Sequence, residues 1–294
     1  MRLKLCRSEI CMAINDFRVN GKALILTDVD DTLLPLGYRG DLKLLSSFLK
    51  RLRLVGVEVV PVTFKTFKEL KNLMELLSFR FSAFIIEGGC VIYSSNNILR
   101  GEGLKLGSDG YEVLELCKPI SLFEEVLNKI EDEEVCRGEV LRLSKSSALE
   151  ISNFLSLPLD VVRESQERYY SDAFITRNSL CKDTIREKII YSGLKAVTTN
   201  RSVQVLGMDK EGGVNSFLKN LNVVGHRIPL IGVGDSSADY GFLGLVDIPI
   251  LMSRKELGRF RSSQYIRSFD TPPGSWIYSV GIALSRFGIS LSNI

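Results

Sequence analysis

Histidine is almost absent from this sequence, since His226 is the single one among 294 residues. Nucleophile systems of the Ser-His-Asp and Cys-His types, His-rich zinc sites and two-histidine iron sites all depend on imidazole groups. The shortage argues against each of these sites. We therefore expect any catalysis to use carboxylates, lysine, arginine and hydroxyl groups.

Signals for secretion and membrane insertion are also lacking. The longest apolar runs, such as 228–233, have the length of a strand and fall well below the roughly 20 residues of a membrane-spanning helix. Polar and charged residues interrupt the N-terminal segment before it reaches the length of a signal peptide. The six cysteines contain no C-x-x-C pair, and a chain of this size needs no disulfides. We expect reduced thiols, a cytoplasmic location and no membrane partner.

Neither sign of charge dominates. The sequence has 38 Lys and Arg residues against 35 Asp and Glu residues, and the basic ones are scattered. This distribution argues against a nucleic-acid partner. The apolar fraction of 45% and the charged fraction of 25% are typical of a globular protein. At roughly 150 residues per domain, the length predicts about two domains.

Short apolar segments alternate with helical patterns in the first part of the chain. Apolar runs at 23–27, 57–62 and 83–87 predict buried strands, and the segments 41–54 and 66–77 repeat apolar residues at helical spacing. Three strands that alternate with two helices predict an α/β fold with a doubly wound parallel sheet.

The middle of the chain has a different pattern. Its helices are longer and more polar, and a hairpin-like stretch lies at 195–205. The alternation of strands and helices resumes after that stretch. We predict a core domain formed by residues 1–95 and 206–294, with an inserted α+β domain of residues 96–205.

Two carboxylates follow the first predicted strand. Asp28 and Asp30 lie at its carboxyl end, which is where open α/β sheets bind ligands. Carboxylates this close repel each other unless a proton or a cation lies between them. A divalent cation with oxygen ligands would relieve the repulsion. The alternative is a loop in which these aspartates only cap backbone groups.

Other polar residues lie next to predicted strand ends or helix starts. Thr63 follows the second strand, Lys210 precedes a helix, and Asp235 and Asp239 follow a later strand. The segment 232–239 lacks the third glycine of a G-x-G-x-x-G motif, which disfavours dinucleotide binding. Taken alone, each of these residues is more typical of a helix cap or of a solvated surface position. Their order along the chain, each next to a strand end or a helix start, favours one common site.

This ordered set resembles the motifs of the haloacid dehalogenase superfamily of phosphohydrolases. The inserted domain lies where one branch of that superfamily has a large cap. The resemblance implies that Asp28 attacks phosphorus and forms an aspartyl-phosphate, while Asp30 acts as general acid and then as general base. It also implies that Thr63 donates a hydrogen bond to the phosphoryl group and that Lys210 neutralises its charge.

The same resemblance implies Mg²⁺ as the cofactor. The implied ligands are the side chains of Asp28 and Asp235 and the backbone carbonyl of Asp30. Asp239 would hold the metal or its waters. Ala238 replaces the asparagine that is usual in this motif, which removes one side-chain contact from the predicted metal site.

Several segments are similar to the mannosyl-3-phosphoglycerate phosphatase family within this branch. They are P-V-T-F-K-T at 61–66, F-I-I-E-G-G at 84–89, R-Y-Y-S-D-A-F at 168–174 and the stretch 234–251. The resemblance implies a sugar phosphate as substrate, with mannosyl-3-phosphoglycerate and its product mannosylglycerate as the first candidates.

Candidate substrate contacts lie in both predicted domains. Lys65 is the candidate in the core, and Arg168, Asp172 and Arg201 are the candidates in the cap. The segment 199–202 reads T-N-R-S where the family has G-G-R-F, so Arg201 is the residue retained there to bind a carboxylate or phosphate. These differences leave the exact sugar open.

Two other functions are compatible with the sequence. A sugar phosphomutase can use the same carboxylate pair, but it returns the phosphoryl group to a sugar and releases no inorganic phosphate. A non-catalytic sugar-phosphate-binding protein would keep the fold without needing Asp30 as an acid. The presence of both Asp28 and Asp30 favours an active phosphatase. The sequence predicts no particular oligomeric state.

Overall fold

The computed structural model describes residues 16–17, 22–38, 40–95, 98–224, 227–252, 265–268 and 270–291. The described strands are β1 (Asp16–Phe17), β2 (Ala23–Thr27), β3 (Val57–Pro61), β4 (Ala83–Ile86), β5 (Val91–Ser94), β6 (Lys105–Leu106), β7 (Glu112–Glu115), β8 (Leu141–Arg142), β9 (Ser171–Ile175), β10 (Lys195–Thr198), β11 (Ser202–Leu206), β12 (Val223–Val224), β13 (Leu230–Gly234), β14 (Ile248–Leu251) and β15 (Ile266–Arg267). The described α-helices are α1 (Leu42–Leu54), α2 (Phe67–Leu77), α3 (Glu124–Glu131), α4 (Ala148–Leu155), α5 (Leu159–Ser165), α6 (Ser179–Tyr191), α7 (Lys210–Asn220), α8 (Tyr240–Leu243) and α9 (Gly274–Arg286). Short 3-10 helices lie at Glu87–Gly89, Ser108–Gly110, Ile120–Phe123 and Glu134–Cys136.

A parallel sheet of five strands in the order β15-β14-β13-β2-β3 forms the centre of the molecule. The strand β2 lies between β13 and β3 and is buried along its whole length, as its continuous apolar sequence predicts. Separate apolar clusters pack on the two faces, one containing Leu49 and Trp276 and the other containing Val214 and Phe217. The predicted α/β fold with a doubly wound parallel sheet is confirmed.

Helix starts follow from local capping. The Asp41 side chain accepts a hydrogen bond from Leu44 N at the start of α1. At the start of α2, Thr66 and Glu69 form a reciprocal capping box. The Thr66 cap begins α2 at Phe67, so the loop after β3 consists of residues 62–66 and stays close to the carboxyl end of that strand.

The edge of the sheet continues into an antiparallel extension. A parallel bridge between Val62 and Ile85 connects the end of β3 to β4, and the extension has the order β4-β5-β7-β6. Strands on both sides of residue 95 therefore belong to one sheet. The domain division at 95/96 and 205/206 stays a prediction.

A second antiparallel sheet, in the order β10-β11-β9-β8, belongs to the cap. Phe174 and Val203 face a cluster that includes Ile185 of α6. On the other face, Ile175 packs with Ile151 of α4 and with α5. The α+β character predicted for the inserted segment is present.

The prediction of reduced cysteines is wrong for four of the six. Disulfides join Cys90 to Cys117 and Cys136 to Cys181, with Cα–Cα distances of 5.0 and 5.1 Å. The paired residues are 27 and 45 positions apart, so the fold brings them together and no local spacing reveals the pairs. Cys6 and Cys11 lie outside the described residues.

Within the described ranges, every helix is too short or too polar to cross a membrane. The cytoplasmic location stays a prediction.

Candidate active site

The carboxyl ends of three adjacent strands bring the predicted residues to one edge of the sheet. Asp28 follows β2, Thr63 lies just beyond β3, and Asp235 follows β13. The backbone N–H of Asp28 donates to Val233 O at 2.9 Å, which fixes Asp28 against the neighbouring strand. The parallel order β13-β2-β3 therefore places these side chains side by side, as expected for a ligand site in an open α/β sheet.

Lys210 is the first residue of α7 and is buried among these carboxylates. Its Nζ atom lies 2.7 Å from Asp28 Oδ1 and 2.7 Å from Asp239 Oδ1. Burial alone would lower the pKa of Lys210, but the charges of Asp239 and Asp28 raise it above its usual value. Lys210 is therefore a fixed positive charge at the centre of the site.

Asp28, Asp235 and Asp239 form a cluster whose carboxylate oxygens lie within 4.8 Å of one another. Burial, followed by the charge of Asp239, raises the pKa of Asp28 to about 7 despite its contact with Lys210. Burial and the charges of Asp28 and Asp239 raise the pKa of Asp235 to about 8. The protein thus holds more carboxylate than Lys210 neutralises, and these hard oxygen donors fit a divalent cation.

Asp239 has a different environment from the other two. Its Oδ2 accepts hydrogen bonds from Asp235 N, Ser236 N and Ser236 Oγ, while Oδ1 contacts Lys210. Gly234 makes this turn possible, since a Cβ atom there would lie 2.5 Å from the Asp239 Cβ atom. Asp239 is also completely buried, whereas Asp28 and Asp235 line the cavity, so Asp28 and Asp235 are the members better placed to bind a cation directly.

Asp30 is paired with Lys65. The Lys65 Nζ atom lies 3.0 Å from Asp30 Oδ1 and 3.7 Å from Glu69 Oε1. Burial would lower the pKa of Lys65, but Asp30 and Glu69 raise it. The Asp30 side chain stays one-third exposed. Lys65 therefore positions the Asp30 carboxylate next to the cavity.

A cavity of about 930 Å³ lies between this edge of the core and the cap. Its lining contains the predicted residues Asp28, Asp30, Thr63, Lys65, Arg168, Arg201, Lys210 and Asp235. Its cap side combines apolar side chains, among them those of Leu155, Ile175 and Val197, with polar side chains at 198–202 and at Ser165, Arg168 and Gln204. The cavity is large enough for a glycoside-sized phosphate ester.

The candidate cap residues divide into different environments. Arg201 is exposed, and its Nη1 donates to Leu155 O at 3.1 Å. Arg168 is buried and donates to Ser165 O at 2.8 Å and to Phe64 O of the core at 3.0 Å. Arg201 is thus the cap arginine with room for a ligand, whereas Arg168 joins the cap to the core.

Asp172 does not line the cavity. It is completely buried, and its Oδ2 accepts from Arg142 Nε at 2.7 Å and from Ser144 Oγ at 2.6 Å. The reason is strand alternation, because Ala173 and Ile175 of β9 face the cavity and Asp172 points to the opposite side of the sheet. We therefore do not include Asp172 among the substrate contacts.

Several polar cavity residues, among them Tyr38 and Gln204, are missing from the sequence-based set. The Tyr38 ring lies 5.0 Å from Lys65 Nζ, and burial raises the pKa of its phenol to about 12, so the group is neutral. Gln204 lies two residues after Ser202 on β11, and its Nε2 donates to Ser202 Oγ at 3.0 Å. The period of two along β11 is a signal that could have identified Gln204. Tyr38 lies in a loop without such periodicity.

Comparison with known proteins agrees with this geometry. No family model matches the sequence. Over 233 residues the chain is 27% identical to a glucosyl-3-phosphoglycerate/mannosyl-3-phosphoglycerate phosphatase of Persephonella marina, which covers 78% of this chain and 84% of the relative. It is 28% identical over 233 residues to a mannosyl-3-phosphoglycerate phosphatase of Pyrococcus furiosus, which covers 78% of this chain and 90% of the relative.

Solved structures have the same fold. A haloacid dehalogenase-like hydrolase of B. subtilis superposes with a TM-score of 0.59 at 15% identity, covering 87% of this chain and 97% of the other. The fold is that of haloacid dehalogenase-like hydrolases, and the sequence relatives are phosphatases. The motif order and the cluster of carboxylates around Lys210 agree with both findings.

Proposed function

We propose that the protein is a Mg²⁺-dependent phosphomonoester hydrolase that acts through an aspartyl-phosphate on a glycosyl-3-phosphoglycerate, with the mannosyl compound as the first candidate. The observation that carries the proposal is the position of Asp28, which lines the cavity and contacts Lys210 at 2.7 Å next to Asp235. The names of the sequence relatives support the substrate class.

Asp28 would act as the nucleophile. A carboxylate oxygen of Asp28 attacks phosphorus, the bond to the leaving oxygen breaks, and an aspartyl-phosphate results. Asp28 must be ionised for this step. Mg²⁺ held by Asp28 and Asp235 would favour the ionised form and neutralise phosphoryl charge. Lys210 adds a fixed positive charge on the same side of the cavity.

Asp30 would transfer the protons. In its protonated form it donates a proton to the leaving alkoxide, and as a carboxylate it then takes a proton from the water that hydrolyses the aspartyl-phosphate. Its contact with Lys65 fixes the carboxyl group without burying it. The second half-reaction releases inorganic phosphate and restores Asp28.

Thr63 would donate a hydrogen bond to a phosphoryl oxygen. Its hydroxyl oxygen accepts from Lys65 N at 3.3 Å, which leaves the hydroxyl proton free to point toward the cavity. On the cap side, Arg201 is the candidate for the glycerate carboxylate, and Ser202 and Gln204 are polar groups for sugar hydroxyls.

The test is release of inorganic phosphate by the purified protein from mannosyl-3-phosphoglycerate, glucosyl-3-phosphoglycerate and a panel of simple sugar phosphates, each in Mg²⁺ and in EDTA. We expect Mg²⁺-dependent release that is highest with the two glycosyl compounds, and no release by D28N. Release from simple sugar phosphates alone would contradict the proposed substrate. No release from any ester would contradict the hydrolase, and phosphorus NMR with a bisphosphorylated sugar would then test the phosphomutase.

A further inference from the structure

Glu87 is a buried acidic residue of the core whose side-chain carboxylate accepts hydrogen bonds from the cap. Its Oε2 accepts hydrogen bonds from Tyr170 N at 2.8 Å and from Ser171 Oγ at 2.8 Å, and Tyr169 N lies 3.2 Å from both carboxylate oxygens. A buried carboxylate is costly unless such donors satisfy it. The side chain of Glu87 therefore fixes cap segment 169–171, at the start of β9, against the core.

The backbone beside Glu87 supports the loop that carries two active-site residues. Glu87 N donates to Lys65 O at 3.0 Å, and Gly88 N donates to Thr63 O at 2.9 Å. The carbonyl between them, Phe64 O, accepts from Arg168 of the cap at 3.0 Å. The three consecutive carbonyls of loop 63–65 thus all accept hydrogen bonds. Two of the donors are the N–H groups of Glu87 and Gly88, and the third is the side chain of Arg168, which directly precedes segment 169–171.

The backbone conformation of Glu87 also indicates that contacts on several sides fix this residue. Its φ angle is +47°, in the left-handed region that side chains other than glycine rarely adopt. Such conformations persist where surrounding contacts determine them from several sides. Here the contacts are loop 63–65 on the backbone side and the cap on the side-chain side.

We propose that Glu87 is a positioning residue that couples the position of cap segment 169–171 to the geometry of loop 63–65. Through this loop, Glu87 affects the positions of Thr63 and of the Lys65–Asp30 pair. The effect on turnover rests on the proposed hydrolase function. The coupling itself is a property of the fold and can be measured without a substrate.

The kinetic test compares E87Q with E58Q. Glutamine keeps the size of Glu87 but offers one acceptor oxygen instead of two, and its NH₂ group would face an N–H or O–H donor. Glu58 is a partly buried carboxylate of β3 that accepts from Ser82 Oγ within the core, so E58Q is a matched control. We expect kcat of E87Q to fall by about 10- to 100-fold at a temperature where the protein stays folded, as for misplaced catalytic groups. E58Q should keep kcat within about twofold.

The structural test is hydrogen exchange resolved to single amides, without substrate. In E87Q a single acceptor oxygen remains for the donors Tyr169 N, Tyr170 N and Ser171 Oγ, so we expect the amides of Tyr169 and Tyr170 to exchange faster. Coupling requires that the amides of residues 87 and 88, which hold loop 63–65, also exchange faster. Faster exchange confined to 169–171, or a kcat equal to that of E58Q, would overturn the proposal.

S171A covers the case in which E87Q does not fold, because it removes one hydroxyl donor and leaves the carboxylate intact. We expect S171A to lower kcat by a smaller factor than E87Q does and to raise the exchange rates of the amides of residues 87 and 88. Unchanged values of both would overturn the proposal. If the wild type hydrolyses no ester, the hydrolase proposal fails, and the exchange experiment still decides the role of Glu87.

Discussion

At the scale of single residues, Lys210 carries the positive charge around which the carboxylates are arranged. Its ammonium group contacts Asp28 and Asp239 at equal distances of 2.7 Å and is 1% exposed. Without it, Asp28, Asp235 and Asp239 would face one another with no protein cation between them. In the proposed mechanism Lys210 therefore acts both on the phosphoryl group and on the ionisation of Asp28.

K210M tests this role. We expect kcat to fall by about 10²- to 10³-fold because a preorganised charge next to the reacting phosphoryl group is lost. The measurement is phosphate release in saturating Mg²⁺, with circular dichroism to verify folding. K219M, which changes an exposed lysine near the end of the same helix, is the control and should keep its activity. A K210M protein within a few-fold of wild type would contradict the assignment.

Some of this site could be predicted from sequence and some could not. Asp28, Thr63 and Asp235 follow apolar strands, and parallel strands bring their carboxyl ends together, so their proximity was predictable. The pairing of Lys65 with Asp30 depends on side-chain directions that no spacing encodes. Such contacts require the three-dimensional packing of the loops after β2 and β3.

At the scale of elements, β9 shows how alternation along a strand separates neighbouring residues. Ala173 lines the cavity, whereas Asp172 pairs with Arg142 on the opposite face of the cap sheet. The motif resemblance predicted a substrate contact at Asp172, and it contains no information about which face the side chain takes. A strand assignment together with one known cavity residue would have been enough to decide it.

R201A and D172N should therefore behave differently. R201A removes an exposed guanidinium at the cavity, so we expect KM for the glycosyl-3-phosphoglycerate to rise by about tenfold, with unfolding free energy unchanged within about 0.5 kcal/mol. In D172N the buried guanidinium of Arg142 loses the charge of its buried carboxylate partner. We expect the unfolding free energy to fall by about 3 kcal/mol. Urea unfolding and steady-state kinetics of both variants make the comparison. A raised KM for D172N at unchanged stability would contradict the structural role.

At the scale of the whole molecule, the core contacts the cap at several places, among them the hydrogen bonds of Glu87, Arg168 and Glu164. Local periodicity predicted most strands of the central sheet and the existence of an inserted domain, because each depends on short-range patterns. The contact of Glu87 with segment 169–171 and the disulfide between Cys90 and Cys117 join residues that are distant in sequence. Tertiary packing creates both contacts, and the hydrogen bonds of Glu87 hold segment 169–171 of the cap against the core.

The carboxylate cluster also affects the stability of the whole molecule, in a direction that follows from its pKa values. The pKa values of Asp28 and Asp235 are raised from the ordinary 3.8 to about 7 and about 8, so between pH 4 and pH 8 the metal-free folded protein binds more protons than the unfolded chain. The contribution of these groups to the unfolding free energy therefore falls as the pH rises through this range. A cation that binds the ionised carboxylates reverses this loss.

We accordingly expect that, in EDTA, the melting temperature falls more between pH 5.5 and pH 8.0 for the wild type than for D235N, which has one ionisable carboxyl group fewer. Mg²⁺ should raise the melting temperature more at pH 8.0 than at pH 5.5, because it binds only the ionised carboxylates and competes with fewer protons at the higher pH. D160N, which changes an exposed carboxylate of α5, should respond to pH and Mg²⁺ as the wild type does. Differential scanning calorimetry of the three proteins at both pH values makes the measurement. An equal Mg²⁺ response at the two pH values, or a D235N protein that responds to Mg²⁺ like the wild type, would show that the cation does not bind at this cluster.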